Sequence, residues 1–456
     1  MSRSMSTRLP SYFDMHPKRQ PPPRQRLPSL ETVAQVFGRP PIYDGIFGSC
    51  SAASLPRLAA TSRDVRAAFH DFERRAFNVN RRLKRFVDDP AAFRTLMGRT
   101  GMIISGSFAL QFFDRTLYEE SDLDCYLYKD RSILQVGAHL KGIGYVYKPN
   151  PSDSGGTRDF ERDVDRLLRS DTDSDIDDGD WCPDYGSLTS REHRRICAVY
   201  SFERKTRRGS TRRVQLVVSM TSPFAVVLSF HSTCVMNVIT YNVAYALYPR
   251  PTFEFRHAIG LKEEGAEDAL AKYTERGWTI FPEGRGISGS AWDLYFFCAA
   301  RWVCDDNTWK ISLDMTGVAQ PPPMACSRKA FRWDPTSECG WELDGQGTSF
   351  KDFDSPALRW KYTLPGEHSP WEFEEFMESR TTLNKSKLAK GSVPPENVRD
   401  SCRPPGWKWW DAQMPLLRKA YMVQRAPCDF KKFFRLPQQT EPRRRSNKCR
   451  NRSVQL

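Results

Sequence analysis

The chain contains no CxxC pair, no apolar run long enough to cross a bilayer and no repeat of fixed period. Each gap removes a class of protein. Its 12 cysteines are scattered from Cys50 to Cys449 without the paired spacing of a structural zinc site. At 456 residues the chain can bury sizeable cores without disulfide staples, so these cysteines read as reduced thiols of an intracellular protein, cytoplasmic or nuclear. No basic-then-apolar leader opens the chain. The most apolar stretch, Phe224 to Ile239, is interrupted by His231, Asn237 and several hydroxyl residues, which predicts no membrane span. The middle of the chain also lacks a basic stripe. Of the net charge of +14, most sits at the ends: residues 1–30 carry six Lys/Arg against Asp14, and residues 436–456 carry six against Glu441. A folded phosphate-gripping face would show its own basic cluster. Tails such as Arg443, Arg444, Arg445, Lys448, Arg450 and Arg452 are instead expected to be solvated, with weak nucleic-acid binding or a nuclear address as the functional alternative.

Residues 1–26, with Pro21, Pro22 and Pro23 and no periodic apolar positions, cannot repay their ordering entropy and are expected to be disordered, as is the basic tail 436–456. Helical spacing starts at Leu30, Val33, Val36 and Phe37 and recurs at Leu55, Leu58, Val65, Ala68 and Phe69. A longer helical stretch follows through Phe72, Phe77, Leu83 and Phe86, and Pro90 starts another that ends before Gly101. Met102–Ser105 and Leu123–Tyr128 are short apolar runs flanking a helical pattern at Ala109, Phe112, Phe113 and Leu117: strand, helix, strand. Ile196–Lys205 and Arg212–Met220 read as two further strands joined across Arg208-Gly209-Ser210. Pro223 suits a helix start, and Thr233–Thr240 reads as a returning strand.

The polar insert at 149–180 ends in Asp171, Asp173, Asp175, Asp177, Asp178 and Asp180. A calcium loop counted from Asp171 needs Gly and Glu where Ile176 and Cys182 stand, so the insert is taken as a surface loop. Eleven of the 12 tryptophans fall between Trp278 and Trp410, which predicts a second, aromatic-rich domain or an elaboration packed on the first. These rings could stack bases, but without basic neighbours they are expected to be core.

Residues two apart in a strand face one side about 6.5–7 Å apart. Asp122 and Asp124 therefore converge, and their repulsion is relieved by a hard divalent ion such as Mg²⁺. Gly106 and Ser107 lie where a strand turns into a helix, and N–H groups there could hold a phosphate beside that ion. The run Ile104-Ser105-Gly106-Ser107, then a helix, then Ser121-Asp122-Leu123-Asp124, resembles the signature of the polymerase-beta-like nucleotidyltransferase superfamily. The stretch from about Phe77 to Phe253, with Ser229-Phe230-His231-Ser232-Thr233-Cys234-Val235-Met236-Asn237, is similar to a large group of fungal proteins of uncharacterised activity with that fold. The resemblance implies a nucleotide gripped by Gly106 and Ser107, Mg²⁺ on Asp122 and Asp124, and a third carboxylate on a later strand completing a two-metal site. Here that strand reads Arg213-Val214-Gln215-Leu216-Val217, with Gln215 where the third carboxylate is expected. Fourteen residues separate Ser107 from Asp122, at the long end of the family's spacing. Glu203 on the preceding strand is the substitute carboxylate; without it the site holds one metal or binds nucleotide without turnover. His231 and Cys234 could pair as base and nucleophile, but packing is the plainer expectation.

The N-terminal helices resemble an F-box, which docks on a Skp-type adaptor: Leu27-Pro28 with Val33, Val36 and Phe37, then Leu55-Pro56-Arg57-Leu58 and Thr61-Ser62-Arg63-Asp64-Val65-Arg66. An insert at Pro40–Cys50 interrupts the match, and the acidic Asp-Leu pair is missing. The expected architecture is α+β: an F-box-like helical segment (27–98), a nucleotidyltransferase-like domain with a small mixed sheet (99–255) and a Trp-rich region (256–435). The expected function is Mg²⁺-dependent nucleotide binding by an active or degenerate nucleotidyltransferase fold, with a non-catalytic F-box-like interaction protein as the alternative.

Overall fold

The computed structural model describes residues 30–51, 54–149, 158–169, 195–207, 209–261, 265–282, 295, 299–321, 334–344, 347–366, 371–386 and 407–423. The two tails and the acidic run 171–180 lie outside these residues. Two compact units emerge, one formed by residues up to Phe72 apart from 51–54, the other by the rest.

The first unit contains α1 (Leu30–Phe37), α2 (Pro40–Gly48), α3 (Ser54–Ala59) and most of α4 (Arg63–Ala76). Its core is aromatic. Phe47 is buried, with ring centroids 5.3–5.9 Å from Phe37, Tyr43, Phe69 and Phe72. The stretch expected to be an insert in an F-box, Pro40–Cys50, thus supplies the residue at the centre of this unit. Proline at its first turn lacks only an N–H that a helix start leaves unbonded.

The second unit continues with α5 (Val79–Leu83), α6 (Pro90–Thr100), β1 (Ile103–Ile104), α7 (Gly106–Asp114), β2 (Leu123–Tyr128), α8 (Ser132–Gly142), β3 (Val146–Lys148) and α9 (Phe160–Arg169). Then come β4 (Ile196–Lys205), β5 (Thr211–Ser219), α10 (Pro223–Leu228), β6 (Asn237–Ile239), β7 (Val243–Ala246), β8 (His257–Gly260), α11 (Glu267–Glu275), β9 (Thr279–Pro282), β10 (Arg301–Trp302) and β11 (Trp309–Ser312). The last elements are β12 (Gly340–Asp344), β13 (Gly347–Phe353), β14 (Tyr362–Pro365), α12 (Trp371–Ser386) and α13 (Met414–Val423).

The expected helix through Phe72 to Phe86 is broken, because the Asn78 side chain accepts from the Arg81 N–H and so caps a new start at α5. Asp89 caps α6 in the same way, and Gly101 ends it at φ 69°. Leu117 lies beyond α7 and is exposed, since Arg115 takes a left-handed turn that stops the helix. Thr233–Thr240 is one short 3₁₀ turn (Thr233–Val235) followed by β6 instead of a continuous strand.

Among the described residues, the main sheet has eight strands in the order β11-β7-β6-β1-β2-β5-β4-β3, all neighbours antiparallel except β2 and β5. It is therefore mixed, as expected, but wider than the small sheet anticipated. The extra width comes from β3, from β7 and from β11, the last of which belongs to the Trp-rich stretch. One face of β2, β5 and β4 carries Leu123, Cys125, Leu127, Val214, Leu216, Val218, Tyr200 and Phe202. On it sits α9, whose Phe160 ring lies 5.0 Å from Phe202 and 5.3 Å from Tyr200. This corrects the loop expected for 149–180 over Phe160–Arg169. Phe160, Val164 and Leu167 recur at helical spacing, and burying three such side chains on a sheet contributes roughly 1.5–3 kcal/mol each.

The opposite face is polar at the start of β2 and apolar at its end, where Tyr126 meets Phe230 and Tyr128 meets Trp360. One core cluster extends from Ile103 to Leu417 and includes Trp278, Trp302, Trp341 and Trp360. Trp341 donates its indole N–H to the Tyr248 hydroxyl at 2.8 Å and Trp278 donates to the Thr252 carbonyl at 3.1 Å, so these two tryptophans are interior groups with partners for their polar atoms. A second sheet, β10-β12-β13-β14, and a parallel pair, β8-β9, complete the unit. No helix among the described residues is long and apolar enough to cross a membrane.

Candidate functional site

The site grows from two local facts. Ile103 and Ile104 pair with Tyr126 and Cys125, which brings the end of β1 against the beginning of β2. The chain then turns sharply at Gly106, with φ 65°, to start α7. A Cβ on Gly106 would lie 3.0 Å from Asp124 Oδ2, so only glycine lets the backbone approach that carboxylate so closely. Ser107 follows in the first turn of α7, with its carbonyl accepting from Gln111 Nε2 at 2.9 Å.

Asp124 lies on β2 and Asp122 immediately before its first residue, on the same side by the alternation of extended chain, and the parallel register sets Gln215 directly beside Asp124. The residue types expected at the site are thus assembled on one sheet edge: Gly106, Ser107, Asp122, Asp124 and Gln215. Arg213, two residues before Gln215, shares its face. Its Nη1 is 3.4 Å from Asp122 Oδ2, and its Nη2 is 3.2 Å from Glu203 Oε1. Glu203 stands opposite Arg213 in the β4–β5 ladder, whereas Ser201 stands opposite Gln215. Glu203 is therefore paired to an arginine one step along from the position a third carboxylate would occupy.

Further residues surround the pair, and local sequence patterns did not reveal them. Lys272 on α11 acts through space on both carboxylates. Arg276, one turn later, lies 3.8 Å from the centroid of the Tyr118 ring, an aromatic–cation contact. Gln111 organises the loop before β2: its Oε1 accepts the Tyr118 N–H at 2.6 Å and its Nε2 donates to Ser121 Oγ at 3.0 Å. The same loop is held by Arg82 on the Thr116 carbonyl and by Arg85 on the Tyr118 carbonyl, both at 2.9 Å. Gln111 and Tyr118 carry a faint sequence signal in being polar or amphipathic within an apolar run; Lys272 and Arg276 carry none.

Burial pushes the Asp124 carboxyl up to about 7, with Asp122 adding to the rise and Lys272 opposing it. Asp122 is also raised by burial, and Arg213 pulls it back. Among the described residues the Asp124 carboxylate accepts no side-chain or backbone hydrogen bond, although it is half-buried. A carboxylate in that condition is stabilised by a proton or by a cation. The donor set suits one hard ion: two carboxylates and the carbonyl oxygen of Gln215, with open positions for phosphate or water. It does not suit two. Among the described residues no group of three His, Cys, Asp or Glu converges to hold a metal.

His231 and Cys234 are not a nucleophile and base. Burial raises the Cys234 thiol to about 12, and its Sγ lies 3.3 Å from Ser232 Oγ. His231 stacks on Tyr273 with centroids 5.4 Å apart. Of the described cysteines, Cys125, Cys234, Cys304 and Cys339 are free thiols. No protein-family model, curated protein or solved structure matches the chain.

Proposed function

We propose that the chain binds a nucleotide through a single Mg²⁺, in the manner of a polymerase-beta-like nucleotidyltransferase that has lost turnover. The observation that carries this reading is Asp124: a half-buried carboxylate beside Asp122, under the Gly106 turn, accepting no hydrogen bond among the described residues. Asp122 and Asp124 hold the ion, and the bound ion supplies neutralising charge for the phosphates. Backbone N–H groups at Gly106 and Ser107 orient the phosphates at the start of α7. Lys272 on α11 adds positive charge that acts on both carboxylates, and the Tyr118–Arg276 pair offers a flat surface at the end of the same helix. Loss of turnover follows from Gln215, because a neutral amide beside Asp124 cannot take the proton of an attacking hydroxyl.

Calorimetric titration with a nucleoside triphosphate, with and without Mg²⁺, tests the reading. Binding should need Mg²⁺ and be lost in Asp124→Asn, while neither the native chain nor Gln215→Asp transfers a nucleotidyl group. Mg²⁺-independent binding, or none, removes the proposal. Robust transfer by the native chain that disappears in Asp122→Asn keeps the fold assignment and overturns the degeneracy.

The second reading, an F-box-like module for a Skp-type adaptor, has Val33, Val36 and Phe37 of α1 half-buried and Leu58 half-buried, while Leu55 and Val65 are buried. Co-purification of the full chain with such an adaptor, lost in Val36→Asp, supports it; no complex at micromolar concentrations of both removes it.

A further inference from the structure

The polar face of β2, β5 and β4 gathers three carboxylates, Asp122, Asp124 and Glu203, within two strand spacings of one another, and strands lie only about 4.8 Å apart. Unopposed, such a group is unstable by mutual repulsion. Arg213 is the basic side chain that alternation and register place among them. Its neighbour Arg212 belongs to the other face of β5, opposite Arg204, and donates to the Glu119 carbonyl at 3.4 Å. Arg204 in turn is engaged by Asp88. The Arg213 fork spans the cluster, reaching Asp122 with Nη1 at 3.4 Å and Glu203 with Nε at 3.3 Å and Nη2 at 3.2 Å. A planar guanidinium can bridge two carboxylates in this way, whereas a lysine brings a single point charge.

We propose that Arg213 is a built-in counter-cation, occupying the place of a second metal ion between Asp122 and Glu203 and so limiting this site to one divalent ion. The inference rests on the one-ion reading given above and extends it: the missing third ligand at Gln215 and the clamped Glu203 are two parts of one substitution, in which a resident guanidinium does the charge balancing that a metal would otherwise do. The carboxylate of Asp124, unbonded among the described residues, is a separate sign that this cluster is shaped for a cation, since its oxygens accept from none of those residues while those of Glu203 and Asp122 are served by Arg213. Removal of the guanidinium therefore leaves Asp122 and Glu203 without their shared counter-charge and uncovers a second cation position between them.

The test is the number of Mn²⁺ ions bound by the full-length chain, read by the paramagnetic resonance of free Mn²⁺ and by calorimetry, with no nucleotide present. Arg213→Gln should bind one more Mn²⁺ than the native chain, at an affinity about tenfold above any further weak binding by the native chain, as expected when a positive charge a few ångströms away is removed. The double variant Arg213→Gln/Glu203→Gln should lose that extra ion. Arg213→Lys should gain less than Arg213→Gln, and it serves as the second variant should the glutamine form fail to fold. Equal Mn²⁺ stoichiometry and affinity in the native chain and the Arg213 variants overturns the inference, as does an extra ion that persists without Glu203. The native isotherm alone judges the one-ion reading, and the difference between variant and native judges the role of Arg213, so either can fail without the other.

Discussion

Two buried or half-buried aspartates of the second unit are treated by the fold in opposite ways. Asp411 is fully buried and completely served: its oxygens accept the Arg359 N–H at 2.9 Å, the Trp360 N–H at 3.1 Å and the Tyr362 hydroxyl at 2.8 Å. Asp124 sits beside another carboxylate and accepts nothing among the described residues. Burial raises the carboxyls of both above their ordinary range, so the raised pKa does not separate them. The partners do. A buried carboxylate that ties three donors together stabilises the fold, whereas one that ties none costs stability until something else binds it.

The largest effect that could break this comparison is on stability. Asp411→Ala orphans two backbone N–H groups and a hydroxyl, at roughly 1–3 kcal/mol for each buried donor, so a loss of about 4 kcal/mol is expected in urea unfolding. Asp124→Ala, without divalent ion or nucleotide, should be neutral or stabilising. A cost at Asp124 similar to that at Asp411 would mean that the site carboxylate has a structural partner after all.

The second effect concerns pH. His231 is buried against Tyr273, its Nδ1 has no partner among the described residues, and burial with help from Lys272 lowers its pKa to about 4. An unfolded histidine titrates near 6.5, so between these values the unfolded chain binds more protons than the folded one. The contribution of His231 is thus fully present above about pH 6.5 and is lost progressively as pH falls towards 4, by up to roughly 3 kcal/mol. His231→Phe keeps a ring on Tyr273 and should flatten that acid limb while leaving stability at pH 8 little changed. An unchanged slope in the phenylalanine variant would place the acid sensitivity elsewhere.

How far this contrast was legible in the sequence follows from chain distance. Gly106, Ser107, Asp122 and Asp124 lie within one strand–helix–strand unit, and period-two alternation alone puts the two aspartates together. Gln215 was expected beside them only through the family resemblance, and the parallel register puts it next to Asp124. Arg213 could have been found by the same alternation, being two residues from Gln215. Lys272 and Arg276 could not, because α11 reaches the site through packing of elements distant in sequence. For the same reason β11 was not foreseen as an edge of the main sheet: four residues, Trp309–Ser312, pair with Val243–Ala246 without any local mark of that choice. Helix α9 was missed for a different reason. Its apolar stripe is three residues wide in a strongly charged segment, and composition hid the periodicity.

A third effect, smaller, probes the approach of α7 to the site. Gly106→Ala must hold a side chain at φ 65° and push a methyl to 3.0 Å from Asp124 Oδ2, for a cost of about 1–2 kcal/mol. Because the atom it meets is the site carboxylate, the same change should weaken Mg²⁺-dependent nucleotide binding more than it weakens the fold. Gly101, also at positive φ and tight against the Trp360 ring, is the control: Gly101→Ala should destabilise the chain without a selective effect on nucleotide.

The smallest effect separates the ion pairs of the two regions. Arg301 and Asp305 are buried together at 2.5 Å, and removing one partner of such a pair costs about 3–5 kcal/mol because the other charge is left in the interior. Arg213 and Glu203 are 3.2 Å apart with side chains 47% and 28% exposed, so water and salt screen them. A double-mutant cycle over Arg213→Gln and Glu203→Gln, read as unfolding free energy in low salt, should give a coupling of only about 0.5 kcal/mol, falling further in high salt. The pair can then be altered without loss of the fold, which is what a guanidinium acting as a counter-ion to a ligand site requires. A coupling near that of a buried pair would make Arg213 and Glu203 part of the scaffold, and the contrast between a served interior and an unserved site would not extend to β4 and β5.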